Sequence, residues 1–245
     1  MTEINPQRNS SSLAIPAQSA RWPCIFTPRS GDLGSYATKS HSTLFRFLRR
    51  KMTTPASNER IQGLAAKIKE LATKDTEMKT FGASTYGTGH HYRMNPVLPA
   101  HDLNDFQREH DVQLPRDYAD FLTQIGDGGM GPYYGLLSLS DSVADNPGHK
   151  SRAFLASPFP LTEYFNPCNE DGNETDEDFF DDRYICGSIV LAHQGCGYYD
   201  RLVITGPQAG LVWSDGRVSD QGIAPLGCDF YTWYDRWVTD SLYEL

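Results

Sequence analysis

Between residues 58 and 74 apolar side chains recur at helical spacing: Ile61, Leu64, Ala65, Ile68 and Leu71 form one stripe, with Ser57 or Asn58 placed to cap it. Residues 80–99, rich in Gly, His and Pro, read as a loop. A short helix follows from His101 or Asp102 to His110, with Leu103 and Phe106 facing inward. A third opens at Pro115, a first-turn position where the missing N–H costs nothing. Its buried face is Leu114, Tyr118, Phe121, Leu122 and Ile125, and Gly126 ends it. Further on the period changes. Residues 184–193, 201–205 and 211–214 are β-branched or aromatic runs, punctuated by Gly195, Gly206-Pro207 and Asp215-Gly216. Connections this short predict an antiparallel meander. The last element is a helix capped by Asp229, with Phe230, Trp233, Tyr234, Trp237, Val238 and Leu242 on one face. Helices on both sides of a strand cluster predict a single α+β domain, a mainly antiparallel sheet with helices packed on it.

Residues 1–51 break this regularity: Ser, Pro, Thr and Arg dominate, and no apolar periodicity outlasts a turn. The expectation is a disordered or non-native extension ahead of a start at Met52; an acid-poor, Arg-containing transit peptide is the alternative. Residues 52–94 then supply a helix and a loop, and 52–245 should fold as one unit. At 245 residues, 39% hydrophobic and 12% aromatic, the chain has bulk enough for a core without a metal or disulfide staple. No apolar run approaches the ~20 residues that span a bilayer, so no membrane role is expected.

Charge divides the chain unevenly. Residues 1–51 hold eight Lys or Arg against Glu3 and Asp32, whereas the other 194 residues hold 14 bases against 29 acids. So acidic a body repels nucleic-acid backbones and attracts basic proteins, which argues against direct nucleic-acid binding. The five cysteines (Cys24, Cys168, Cys186, Cys196, Cys228) form no C-x-x-C pair and read as scattered reduced thiols of a cytoplasmic protein.

Several motifs invite chemistry and fail on context. Gly126-Asp127-Gly128-Gly129-Met130-Gly131 matches G-x-G-x-x-G, but it leaves a helix rather than opening one, so it reads as a helix-to-strand turn. Residues 167–178 are oxygen-rich, yet an EF-hand register would put Pro167 at the first ligand position. His193-Gln194-Gly195-Cys196-Gly197, with Asp200 nearby, suggests a Cys/His nucleophile; a Gly-Cys-Gly turn around a small buried thiol is the simpler reading. His90-His91 lacks further ligands in sequence. No catalytic residue, cofactor or metal site is expected, and no enzymatic activity.

Leu114-Pro115-Arg116-Asp117-Tyr118-Ala119-Asp120-Phe121-Leu122, then Gly126-Asp127-Gly128-Gly129 and Gly131-Pro132-Tyr133-Tyr134-Gly135-Leu136, resembles the helix-turn-strand signature of the SUKH superfamily. The subgroup is the one containing the yeast cell-wall assembly regulator. Gly195-Cys196-Gly197-Tyr198, the strand 202–206, Gly210-Leu211-Val212-Trp213 and Phe230, Trp233, Tyr234 and Trp237 resemble its later strands and closing helix. The likeness spans roughly residues 95–243, which sets a SUKH-like domain over 95–245. It implies an α+β fold without a catalytic centre, in which these glycines serve turns and these aromatics serve the core. It further implies an immunity protein that binds and neutralises a polymorphic toxin, a basic nuclease being one fitting class. The alternative is a regulatory scaffold acting through protein contacts, as in the eukaryotic members.

From residue 163 to 182 there are nine acids and no base, so this segment should remain extended and wet. Within it Glu170, Asp171, Glu174, Asp176, Glu177 and Asp178 are too dense to be buried and form the expected partner-binding surface.

Overall fold

The computed structural model describes residues 57–84, 89–146, 151, 153–166 and 179–245. Among these are six α-helices and four strands. Helices α1 (Ser57–Lys74), α2 (Ala100–His110), α3 (Arg116–Gln124), α4 (Leu139–Ala144) and α5 (Ala153–Ala156) precede strands β1 (Ser188–Gly195), β2 (Tyr198–Val203), β3 (Leu211–Asp215) and β4 (Ile223–Asp229), and α6 (Phe230–Tyr243) closes the chain. The strands form one antiparallel sheet in the order β1-β2-β3-β4, with helices packed against it, the α+β arrangement that the residue pattern predicts.

The core lies where α1, α3 and α6 meet the sheet. α1 takes in both cap candidates, since it begins at Ser57, and buries Ile61, Leu64, Ile68 and Leu71. Ala65 is exposed instead: at about 100° per residue it falls at the border of the stripe, and one methyl does not reach inward. Pro115 sits one position earlier than expected, as the N-cap of α3. Leu114, Tyr118, Phe121 and Leu122 are buried and Ile125 half-buried. The Tyr118 and Phe121 rings pack on Phe230 at 4.8 and 5.2 Å. Asp229 caps α6 by accepting from the Thr232 N–H at 2.7 Å. Trp233 is buried, whereas Trp237 is half-buried at the rim. Lys67 Nζ, 2.8 Å from Asp235, ties α1 to α6.

The sheet departs from the pattern at three places. Residues 182–184 form a 3₁₀ turn, and Gly187 has φ +69°, so β1 begins at Ser188 rather than at 184. A Cβ at Gly187 would lie 2.4 Å from the Ser157 carbonyl oxygen, so chain crowding requires glycine there. β2 begins at Tyr198, three residues earlier than predicted. β4 went unforeseen because Pro225 and Gly227 interrupt its pattern. Between Leu211↔Asp229 and Trp213↔Pro225, β4 carries two residues more than β3, which makes a bulge.

The Gly-rich run leads from α3 to a succession of isolated bridges: Met94↔Gly129, Gly129↔Leu136 and Leu136↔Ala192 on β1. Gly128, Gly129, Gly135, Gly195 and Gly197 have positive φ, as turn glycines should. Gly126 and Gly131 serve close approach; a Cβ on Gly131 would lie 2.5 Å from the Leu136 nitrogen. Pro132 and Trp213 are buried, but Tyr134 is 43% exposed and does not belong to the core.

Candidate functional site

The β1–β2 and β3–β4 turns emerge at the same end of the meander. Cys196 and Gly197 (φ +52° and +86°) form a two-residue turn whose twist matches the flanking strands. This places Cys196 at an exposed tip, which corrects the expectation of a buried thiol. The Tyr134 ring covers Gly195, where an added Cβ would lie 3.2 Å from it. Phe81 meets Tyr134 edge-on at 5.4 Å. On the other side Val218 packs on Gly197, and the Tyr198 hydroxyl donates to Ser219 Oγ. Phe180 stacks near the Arg217 guanidinium, 5.8 Å away. Phe81, Tyr134, Val218 and Phe180 are exposed by 55, 43, 45 and 51%. Phe81 and Tyr134 thus lie on one side of the β1–β2 turn, with Val218 on the other and Phe180 beside Arg217.

Phe81, Tyr134 and Val218 are held from below. Asp75, just past α1, accepts from Lys79 N (2.9 Å), Thr80 N (2.8 Å) and the Tyr92 hydroxyl, and so sets the turn that presents Phe81. Burial opposes the charge of Asp75, but these hydrogen bonds outweigh it and bring the carboxyl down to about 2. Gly135 N bonds to the Pro132 carbonyl at 2.9 Å, closing the turn beneath Tyr134. Val218 sits on a 3₁₀ turn (Arg217–Ser219) fixed by a buried ionic cluster. Asp215 accepts from Arg201 Nε and from Arg217 Nε and Nη2, each at 2.9 Å. Arg201 Nη1 also donates to Asn146 Oδ1 at 2.7 Å. Burial works against the Asp215 charge, yet the bonds and positive charges of both arginines hold its carboxyl below the ordinary value.

The chemistry-bearing side chains do not converge. Asp200, on the opposite sheet face from His193 and Tyr199, accepts from Trp233 Nε1 (2.9 Å) and Gln194 Nε2 (2.8 Å). Burial pushes its carboxyl up to about 6. His193 Nδ1 accepts from Gly195 N at 3.2 Å, and its ring lies against Tyr199. Cys196, His193 and Asp200 therefore form no relay. His90, held down to about 4 by burial, accepts from Tyr92 N, while His91 Nδ1 lies 3.3 Å from Met78 Sδ. Among the described residues no group of three His, Cys, Asp or Glu side chains could hold a metal ion, and no helix is long and apolar enough to cross a membrane.

Glu170, Asp171, Glu174, Asp176, Glu177 and Asp178, with the oxygen-rich run 167–178, lie outside the described residues. The end of the acidic segment is described and is not extended. Arg217 Nη1 donates to the carbonyls of Phe179 (3.4 Å) and Asp181 (3.3 Å), and the 3₁₀ turn follows at once. Phe81, Val218 and Phe180 escaped the sequence reading. An aromatic followed by a turn glycine, Phe81-Gly82, is a faint sign of presentation; nothing near Val218 signals it. No family model matches the chain, and neither a curated protein nor a solved structure matches it.

Proposed function

We propose that the chain is a non-enzymatic protein-binding domain of the SUKH type, an immunity protein that binds and neutralises a cognate polymorphic toxin in the cytoplasm. The observation that carries this reading is the exposure of Phe81, Tyr134, Val218 and Phe180 around the turn end of the sheet, near buried, hydrogen-bonded supports. Rings already fixed in place lose little entropy on association, and such anchors dominate interface energies. The interior Arg201, Asp215 and Arg217 are engaged with one another, as a scaffold requires. The acidic body would speed encounter with a basic partner.

The test begins with cross-linking in the native cell and identification of the captured protein by mass spectrometry. That protein is then expressed alone and with this chain. Toxicity of the captured protein alone, abolished by a stoichiometric complex, is the expected result. A captured wall-synthesis or signalling protein with no toxicity of its own would overturn it in favour of a regulatory scaffold.

A further inference from the structure

We infer that Asp200 is a proton-operated latch: as the neutral acid it holds the β1–β2 turn, through Gln194, against α6, and as the anion it admits water and releases that turn. The latch is a property of the chain alone. It goes beyond the protein-binding reading and does not depend on it.

Two aspartates of the same sheet are buried, and their surroundings differ. Asp200 and Asp215 are 1% and 3% exposed. Successive residues of β2 point to opposite faces, so Asp200 and Arg201 look away from each other. Arg201 and Arg217 both reach Asp215, whose negative charge is thereby compensated. Asp200, on the face toward α6, has only the neutral donors Trp233 Nε1 at 2.9 Å and Gln194 Nε2 at 2.8 Å. Among the described residues no Lys, Arg or His forms an ion pair with it. Its cross-strand neighbours, Ala192 on β1 and Ser214 on β3, are uncharged. The titratable group beside it is the Tyr133 hydroxyl, which burial raises and the Asp200 charge raises further. A carboxylate so placed is desolvated at a cost that neutral donors offset only in part. Burial outweighs both hydrogen bonds and pushes the carboxyl up to about 6.

The elements that meet at Asp200 are not equally firm. α6 is pinned by its rings: Phe230 packs on Tyr118 and Phe121, and the Tyr234 hydroxyl donates to the Met130 carbonyl at 2.6 Å. The turn is made of Gly195, the exposed Cys196 and Gly197, and Gln194 rises from the register shift where the ladder is already irregular. Water that hydrates the anion therefore enters on the Gln194 side. Tyr134, whose ring is seated on Gly195, loses its support when the turn lifts. Acid closes the latch, and loss of the proton to solvent opens it.

Opening to a hydrated carboxyl with the ordinary value of 3.8 should become about a hundredfold more frequent between pH 4 and pH 6. Hydrogen exchange of the full chain, corrected for intrinsic rates, reads this directly. Protection at residues 192–200 should fall about a hundredfold over that interval. It should be insensitive to low urea, because a local opening exposes little surface, whereas amides of β3 and α6 should be better protected and respond to urea. By NMR the Asp200 carboxyl carbon and the Trp233 indole N–H should titrate together, with a midpoint near 6. Asp200→Asn, a near-isosteric neutral group, should keep the protection of 192–200 constant from pH 4 to 6. Gln194→Ala, which removes the donor on the turn and leaves α6 intact, should leave 192–200 weakly protected at both. An Asp200 midpoint near its ordinary value, exchange at 192–200 with the urea dependence of α6, strong protection of 192–200 in Gln194→Ala, or a pH dependence that persists in Asp200→Asn would each overturn the latch.

Discussion

Asp200 is a buried carboxyl whose two hydrogen-bond donors, Trp233 and Gln194, are both neutral. Burial raises its folded-state value to about 6 from an unfolded value near 3.8, despite those bonds. Between these values the folded chain holds a proton that the unfolded chain releases, so its contribution to stability is complete below about pH 4. That contribution declines as pH rises and is gone above about pH 6. The difference amounts to roughly 3 kcal/mol. Asp200→Asn should therefore flatten the stability profile over this interval and raise the urea midpoint at neutral pH. An unchanged slope from pH 4 to 6 would place the titration on another group. Gln194 reaches Asp200 because a register shift falls between His193 and Gly195, a two-residue advance on β1 against one on β2. A bulge is not visible in a pattern of apolar positions.

At the scale of elements, α6 and the β3–β4 turn are held by different forces and should fail differently. Trp233→Ala removes a buried ring and one of Asp200's donors, a loss of about 3–5 kcal/mol. Trp237, half-buried against His90 and Tyr234, should lose roughly half as much on truncation. Equal denaturation midpoints for the two variants would contradict this ranking. Asp215→Asn leaves Arg201 and Arg217 buried opposite a neutral amide, and should cost about 3–5 kcal/mol by chemical denaturation. The long elements were legible because each buries a regular face. α1, α3 and α6 follow the 3.6-residue period, and β1 to β3 announce themselves by branched and aromatic runs. α4 and α5 span only six and four residues, too short for periodicity to emerge. α4 did carry a local signal, Ser138-x-x-Asp141, in which Ser138 Oγ accepts from Asp141 N at 3.1 Å. The ionic cluster was illegible because Arg201 and Asp215 meet only through strand register.

For the whole molecule, residues 57–245 bury a core of their own, and the sequence of residues 1–51 carries no core pattern. A chain beginning at Met52 should thus melt cooperatively near the full-length temperature by calorimetry. Loss of the cooperative transition would mean that the first 51 residues contribute to folding. The candidate site was not legible in the sequence, because Phe81, Tyr134, Phe180 and Val218 are far apart in the chain and reach the turn end of the sheet only through the fold. Tyr134 shows the ambiguity plainly. Its neighbour Pro132 is buried, and no period in so short a turn separates an inward residue from an outward one.

The bulged strand β4 bears on how such a surface stays usable. An open sheet edge beside exposed rings is a template on which further chains could stack into fibrils. Here the edge offers no regular row of donors: Pro225 has no N–H, Gly227 turns left-handed at φ +68°, and the two extra residues break the spacing. Phe165 already occupies the pairing position at Ile223. The irregularity that hid this strand from the pattern therefore also guards against polymerisation, leaving the rings at the sheet's end to be covered by side-chain contact rather than by an added strand.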